Sequence, residues 1–431
     1  MAPSTPGEAL AWFGQVPPSS IRLGLDRIQA ALSALGHPEA RLPALHVAGT
    51  NGKGSTCAFS ERVLRAAGHR VGLYTSPHLE RVNERIKLSG EDISDEVFGR
   101  RILEVLERAP YLAVEPYPLT YFELGTLVAL WHFAQERVDV AVLETGLGGR
   151  LDATNASAPW VTAVTSISFD HMEYLGTTLG AIAGEKAGIF KPGVPAVVAR
   201  QPEEAARALA DKAKAVGAPL YVEGRDFELL ATGPDRLSYR GLGRSLEGLR
   251  LGLRGAHQLQ NAAVALACLE LLDQKGLRVP DAAIHEGLAA TRWPGRLEEV
   301  AQRPLVLLDG AHNPDGVEAL VAALDALYPG RGVHLVFGVL ADKEHGPMMR
   351  RLFPRCASLH LTPVPSPRSL SPEAYAPLAR SLCGEVHLHP SLEDAFGAAR
   401  ANASGDELVL CAGSLYLVGS ARSLARTSSS R

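Results

Sequence analysis

The sequence predicts an α/β protein of two doubly wound domains, the first with a small antiparallel edge and the second smaller and Rossmann-like. Three observations carry that prediction. Short apolar runs alternate with helix-length stretches over most of the chain, a glycine-rich turn joins the first run to its helix, and the alternation restarts after an interruption at Pro294-Gly295. Strands separated by helices imply parallel sheets covered on both faces. A chain of 431 residues suits two domains, and 46% apolar with 21% charged residues supplies a sizeable core and excludes wholesale disorder.

In the first domain, placed at residues 1–293, the run Pro43–Ala48 is followed by the turn and a helix-like stretch from Lys53 to Ala67. Further buried strands are expected at Val71–Tyr74, Val138–Leu143, Trp160–Thr165 and Pro195–Ala199, with helices at Leu119–Glu136 and Thr178–Ala187. From about Glu223 to Leu253 the segments are short and broken by Gly, Pro and Asp, which suits antiparallel hairpins at a sheet edge, and the helix Gln258–Leu272 follows. Pro294 and Gly295 mark the boundary. In the second domain, residues 297–431, strands are expected at Leu305–Leu308, Val333–Phe337, Ser358–Leu361, Glu385–Leu388 and Glu407–Cys411, and helices at Pro314–Leu327, Pro372–Leu382, Leu392–Ala401 and Leu415–Ala425. The ends, Met1–Gly7 and Arg426–Arg431, have the composition of frayed tails.

The turn reads His46-Val-Ala-Gly49-Thr50-Asn51-Gly52-Lys53-Gly54-Ser55-Thr56. Small residues at the end of a buried strand let successive backbone N–H groups face a phosphate, and the next helix adds the positive end of its dipole. Lys53 can reach the β- and γ-phosphates, and Ser55 or Thr56 can hold Mg²⁺. The strict phosphate-loop spacing would put glycine at 47 and Ser or Thr at 54, where Val47 and Gly54 stand, so the loop is a variant. It makes the first domain a P-loop-type ATPase domain.

Other strand exits carry chemistry too. Val138-Asp-Val-Ala-Val-Leu-Glu144 ends in a carboxylate followed by the glycine cluster Thr145–Arg150; alone it would be a solvated strand end, but beside the loop it reads as a metal ligand. Asp170-His171 closes the strand after it, either as a second metal site or as a structural histidine. Lys186 near a helix C-terminus reads by itself as a surface cation. Thr75–Leu79 and the charged stretch to Gly90 read as a solvent loop or a mobile substrate loop. In the second domain Asp309-Gly-Ala-His312-Asn313-Pro314 would cap a helix through Asn313 and Pro314, which leaves Asp309 and His312 unexplained, and Asp342-Lys343 ends the next strand similarly. The economical reading is two sets of residues facing each other across an interdomain cleft.

Lys plus Arg number 43 against 47 Asp plus Glu, a net charge of −4 that gives a nucleic-acid backbone nothing to attract. The 5 cysteines lack paired or metal-type spacing and read as buried thiols in a reducing compartment. With no signal-like start and no membrane-length apolar run, a cytoplasmic monomer without nucleic-acid or membrane partners is expected.

These motifs, with Leu151-Asp-Ala-Thr-Asn155, Glu185–Ile189, Pro294-Gly-Arg-Leu-Glu298 and Gly413-Ser-Leu-Tyr416, occur in the order seen in folylpolyglutamate synthase/dihydrofolate synthase. The chain resembles this branch of the Mur ligase superfamily nearly end to end; the extra Gly54 and the Asp309–Pro314 motif argue against a ligase of peptidoglycan precursors, and a non-catalytic nucleotide sensor would not need His171, Lys186 and His312 together. The resemblance implies an ATP- and Mg²⁺-dependent ligase that joins L-glutamate to dihydropteroate or a reduced folate through an acyl phosphate. It further implies that Gly49, Thr50, Asn51, Gly52, Lys53, Gly54, Ser55 and Thr56 cradle the phosphates, with Lys53 on the transferring group. Ser55, Ser76 and Glu144 would hold a first magnesium and His171 a second. Lys186 would be carbamylated beside that second metal. Asn261 would meet the adenine and Asp309 the ribose, Arg296 and His312 would reach the phosphates, and Asp342 and Lys343 would orient glutamate.

Overall fold

The computed structural model describes residues 3–17, 21–233 and 235–428 and divides into two compact units. One holds the chain up to His78 together with Val82–Gly252 and Leu259–Thr291; the other holds Leu79–Arg81, Leu253–Gln258 and the chain from Arg292 onward. The second unit therefore takes two short segments from the part of the chain that otherwise builds the first. No helix among the described residues is long and apolar enough to cross a membrane.

The first unit is built on an eight-stranded mixed sheet. Its strands are β1 (Ala44–Ala48), β2 (Val71–Tyr74), β3 (Ile86–Leu88), β4 (Glu91–Asp92), β5 (Val140–Glu144), β6 (Val161–Val164), β7 (Ala196–Val198) and β8 (Leu220–Val222), in the order β4-β3-β2-β5-β1-β6-β7-β8. β1, β2, β5, β6, β7 and β8 run parallel, and the first five of those are buried throughout, as continuous apolar runs between two helical layers should be. β1 has β5 on one side and β6 on the other, the position where the direction of winding reverses. Ligands of open α/β sheets bind beyond the carboxyl ends of such strands. The helix Tyr121–Gln135 is apolar nearly all round and is buried over most of its length; a capping box between Thr120 and Glu123 starts it.

The antiparallel edge is not where the sequence puts it. β9 (Glu228–Gly233), β10 (Arg236–Arg240) and β11 (Ser245–Leu249), from the Glu223–Leu253 region, form a separate three-stranded antiparallel sheet. The antiparallel edge of the main sheet is β3–β4, from residues that read as a charged loop. Its charges suit a short edge strand: Lys87 pairs across the edge with Asp92, and charge at an edge blocks pairing with another chain. At the N-terminus, part of the expected tail is a helix, Pro6–Phe13, started by a capping box in which Thr5 and Glu8 satisfy each other's backbone N–H; residues 1–2 lie outside the described residues.

The second unit is a six-stranded sheet of β12 (Glu298–Gln302), β13 (Leu305–Leu308), β14 (Val333–Phe337), β15 (Ser358–Leu361), β16 (Val386–Leu388) and β17 (Leu408–Ala412), ordered β12-β13-β17-β14-β15-β16. All pairs are parallel except β12–β13. Only β12 was not legible as a strand, because Glu298-Glu-Val-Ala-Gln302 carries an edge strand's polarity rather than a core pattern. The helix Leu415–Ser428 continues into the expected C-terminal tail, whose last residues, 429–431, lie outside the described residues.

Candidate active site

The loop after β1 is held by the exit of β6. Thr50 N donates to Ser166 O at 2.8 Å, the Thr50 hydroxyl donates to Ser168 O and accepts from Ser168 N, both at 3.1 Å, and Thr165 Oγ1 donates to Asn51 O at 2.7 Å. The side chains of Thr50 and Asn51 thus brace the loop, Asn51 Nδ2 reaching Ser168 Oγ at 3.4 Å. Gly52 precedes the helix Lys53–Ala66 with φ of 88°, and a Cβ there would lie 2.1 Å from Asn261 Oδ1, so only glycine lets the loop close on Asn261. Asn261, expected at the adenine, lies against the phosphate loop. Its carbonyl accepts from Thr56 Oγ1 at 3.3 Å, which favours Ser55 over Thr56 as the hydroxyl for a metal. Ser55 is buried in the first turn of that helix.

Two ammonium groups converge on this loop. Lys53 Nζ donates to Gly49 O and Thr50 O, each at 3.0 Å, and Lys186 Nζ donates to Gly49 O at 2.8 Å. Lys186 is 4% exposed, not the surface cation its sequence context suggests. Burial, and then the charge of Lys53, push its pKa down to about 7, against the opposing pull of Asp170 and Asp152. Glu144 ends β5 buried, its Oε2 accepting from Ser76 N at 3.2 Å. His171 sits on the exposed turn after β6 with φ of 52°; its N–H donates to Asp170 Oδ1 at 2.9 Å.

Among the described residues no three His, Cys, Asp or Glu side chains form a complete metal-binding group. One buried carboxylate with nearby hydroxyls is instead the donor set of a hard cation that completes its shell with phosphate oxygens and water. Ser55, Ser76 and Glu144 fit that description.

Asp152 is a site residue that no sequence motif singles out. Its Oδ2 accepts from Gly146 N at 2.9 Å and Leu147 N at 2.8 Å, and its Oδ1 accepts from Thr154 N and Oγ1 at 3.0 and 2.5 Å. The carboxylate therefore sets the turn that follows Glu144. Thr154 Oγ1 in turn accepts from His46 Nε2 at 2.7 Å, a neutral imidazole whose pKa burial pushes down to about 3. The glycine cluster ending in an aspartate was the signal: such a turn needs its amides satisfied.

In the second unit Asp309 joins two backbone segments. Oδ2 accepts from Leu297 N and Oδ1 from Ala311 N, both at 2.9 Å. Arg296 packs against Gly310, whose N–H donates to Gly295 O at 2.8 Å. His312 Nδ1 donates to Gly310 O at 2.8 Å, and Asn313 caps the next helix by accepting from Gly316 N, as expected. His257, the first residue of the long helix His257–Gln274, feels both Asp309 and Arg296; burial pushes its pKa down. Its signal was Gly255-Ala-His257 at a helix start. Asp342 is exposed, 3.6 Å from Arg368 Nη1, and the carbonyl of Lys343 accepts from His345 N.

Residues 47–269 match the Mur ligase middle domain and residues 295–415 the Mur ligase glutamate ligase domain. The chain is 37% identical over 424 residues to the dihydrofolate synthase/folylpolyglutamate synthase of Bacillus subtilis, covering 96% of this chain and 98% of that one. The chain belongs to the folylpolyglutamate synthase/dihydrofolate synthase family of Mur ligases. It is an ATP-dependent, amide-bond-forming ligase. Among solved family structures, E. coli FolC in complex with DHPP and ADP superposes with a TM-score of 0.89 at 35% identity, covering 99% of both chains. The Yersinia pestis folylpolyglutamate synthase/dihydrofolate synthase complexed with AMPPNP and a Mn ion gives 0.87 at 34% identity, covering 99% of this chain and 100% of that one.

Proposed function

We propose that this ligase binds ATP with a divalent metal on the loop Gly49–Thr56 and adds L-glutamate to both dihydropteroate and reduced folates. A carboxylate oxygen of the pterin substrate attacks the γ-phosphorus, the bond to the β–γ bridging oxygen breaks, and ADP leaves with that electron pair. The glutamate amine then attacks the acyl carbon, a C–N bond forms, phosphate departs, and the amine proton goes to solvent. Positioning and charge neutralisation dominate such chemistry. Lys53 follows and neutralises the transferring group. Ser55, Ser76 and Glu144 would hold the divalent metal and His171 a second ion, which would supply further neutralisation of phosphate charge. Arg296 and His312 act on the phosphates, Asp309 on the ribose, Asn261 on the nucleotide, and Asp342 and Lys343 on glutamate. The observation that carries the reading is the convergence of Lys53 and Lys186 on the carbonyl of Gly49, at the start of the helix Lys53–Ala66.

Lys186 acts in this reading as a carbamate. A pKa of about 7 leaves the amine substantially neutral at physiological pH, able to attack CO₂: an N–C bond forms, one C=O π pair moves to oxygen, and a proton is lost. The local charge changes from +1 to −1, and the product presents oxygen, a donor that magnesium accepts. The five thiols are all unpaired, which supports a cytoplasmic location. We take the enzyme to act as a monomer.

The test is ADP release by the purified protein, with ATP, glutamate and pterin acid omitted in turn. Turnover should require all three. Parallel assays with dihydropteroate and with a reduced folate should both give product; ATP hydrolysis indifferent to the acid and to glutamate would overturn the reading.

A further inference from the structure

Arg422, on the helix Leu415–Ser428, stands where two segments of the second unit meet, Leu79–Arg81 and the linker before β12. Its Nη1 donates to Glu80 Oε1 at 2.5 Å, and its Nε lies 2.9 and 3.1 Å from the two carboxylate oxygens of Glu298. Both carboxylates are tied down further: Ser423 Oγ donates to Glu80 Oε2 at 2.9 Å, and Gly295 N to Glu298 Oε2 at 2.8 Å. Arg422, Glu80 and Glu298 are only 22%, 19% and 21% exposed, so salt screens this triad less than a surface pair. The same helix meets the Glu80 segment backbone to backbone. A Cβ on Gly419 would lie 2.0 Å from Leu79 O.

Glu80 is four residues beyond Ser76, and Glu298 is two residues beyond Arg296. Leu79–Arg81 is also the short excursion by which the chain leaves the first unit after His78 and returns at Val82. We propose that Arg422 is a positioning residue, one guanidinium that ties the segment Leu79–Arg81 to the linker carrying Arg296 within the second unit. The proposal rests on the roles given above to Ser76 and Arg296. The planar fork of arginine can serve two carboxylates at once, which the point charge of lysine does not reproduce. Without it the carboxylates of Glu80 and Glu298 lose the cation they share. Small misplacements of reacting groups cost on the order of a hundredfold in rate.

Arg422→Met should lower kcat ten- to a hundredfold and weaken Mn²⁺ binding to the enzyme–AMPPNP complex, read by electron paramagnetic resonance, several-fold, with circular dichroism unchanged. Arg422→Lys should recover only part of kcat. Glu80→Gln and Glu298→Gln should each reproduce part of the loss and add little to Arg422→Met, since all three disturb one anchor. If Arg422→Met does not fold, the two glutamine variants, which leave the helix intact, decide. Variants of the triad within twofold of the parent in kcat and in Mn²⁺ affinity, while Ser76→Ala and Arg296→Ala each cost more than tenfold, would overturn the proposal and leave the functional reading standing. Were Ser76→Ala and Arg296→Ala also without effect, the roles of those residues would fall, and this proposal with them.

Discussion

Lys53 and Lys186, 133 positions apart in the chain, donate hydrogen bonds to one carbonyl oxygen, that of Gly49, at 3.0 and 2.8 Å. Burial first, and then repulsion from the Lys53 ammonium, push the pKa of Lys186 down to about 7. Lys53 thereby adds to what burial does to a lysine on a distant helix.

Lys53→Ala should lower kcat/KM for ATP by about three decades, since one charge near 4 Å at an effective dielectric of about 20 is worth about 4 kcal/mol. Steady-state ADP release measures it. A loss below about tenfold in a folded variant would make Lys53 a helix-start residue only.

Lys186→Ala should lose most activity and regain part of it in acetate or formate, which can occupy the vacated anionic position. Lys186→Arg should fail, because it keeps the positive charge and cannot form the carbamate. The sign with pH is fixed by the depressed pKa. Between about 7 in the folded state and the ordinary lysine value of 10.5, the unfolded chain binds the extra proton, so this lysine makes stability rise with pH across that window. Urea titrations at pH 7 and pH 9 should show a smaller rise for Lys186→Met than for the parent, and an equal rise would contradict the burial.

Gly52→Ala should weaken ADP binding at least tenfold by calorimetry. The left-handed backbone costs a residue with a side chain about 1–2 kcal/mol, and the methyl would strike Asn261 Oδ1. Adding Asn261→Ala should relieve the clash but not the backbone term. Affinity within twofold of the parent would mean that the loop does not need this closure.

The second unit contains a hydrogen-bonded chain in which Ser358 Oγ lies 2.8 Å from His334 Nδ1 and 3.0 Å from His360 Nε2, and His360 Nδ1 lies 3.1 Å from His389 Nε2. Burial first, then His389, His387 and His334, push the pKa of His360 down to about 4, with Glu385 opposing. The unfolded chain takes up this proton from pH 6.5 downward while the folded chain waits until about 4, so stability falls as pH falls through that window. Chemical denaturation from pH 7 to pH 5 should show the loss, and His360→Asn should reduce its slope. An unchanged slope would count against the assignment.

Much of this site was legible because its signals are local. An apolar run ending in Glu144, or in Asp170-His171, states both that a strand is buried and that its exit is polar, and parallel strands put those exits at one end of a sheet. The helix cap formed by Asn313 and Pro314 is legible for the same reason. Edge strands were less so. The charges of Ile86–Asp92 and of Glu298–Gln302 hide the pairing that tolerates them.

The sequence by itself determined that two largely parallel α/β sheets form, that a phosphate loop follows the first strand, and that carboxylate, imidazole and ammonium groups stand at strand and helix ends. Only the tertiary structure decided which of these groups meet. Lys186 reads as a surface cation until the packing of its helix against the loop after β1 buries it, and Asp152 reads as part of a turn until its oxygens find the amides of Gly146 and Leu147. Arg422 had no signal, because its partners Glu80 and Glu298 are remote in the chain. Desolvation and charge coupling depend on distances between segments far apart in sequence, and no local pattern of residues contains those distances.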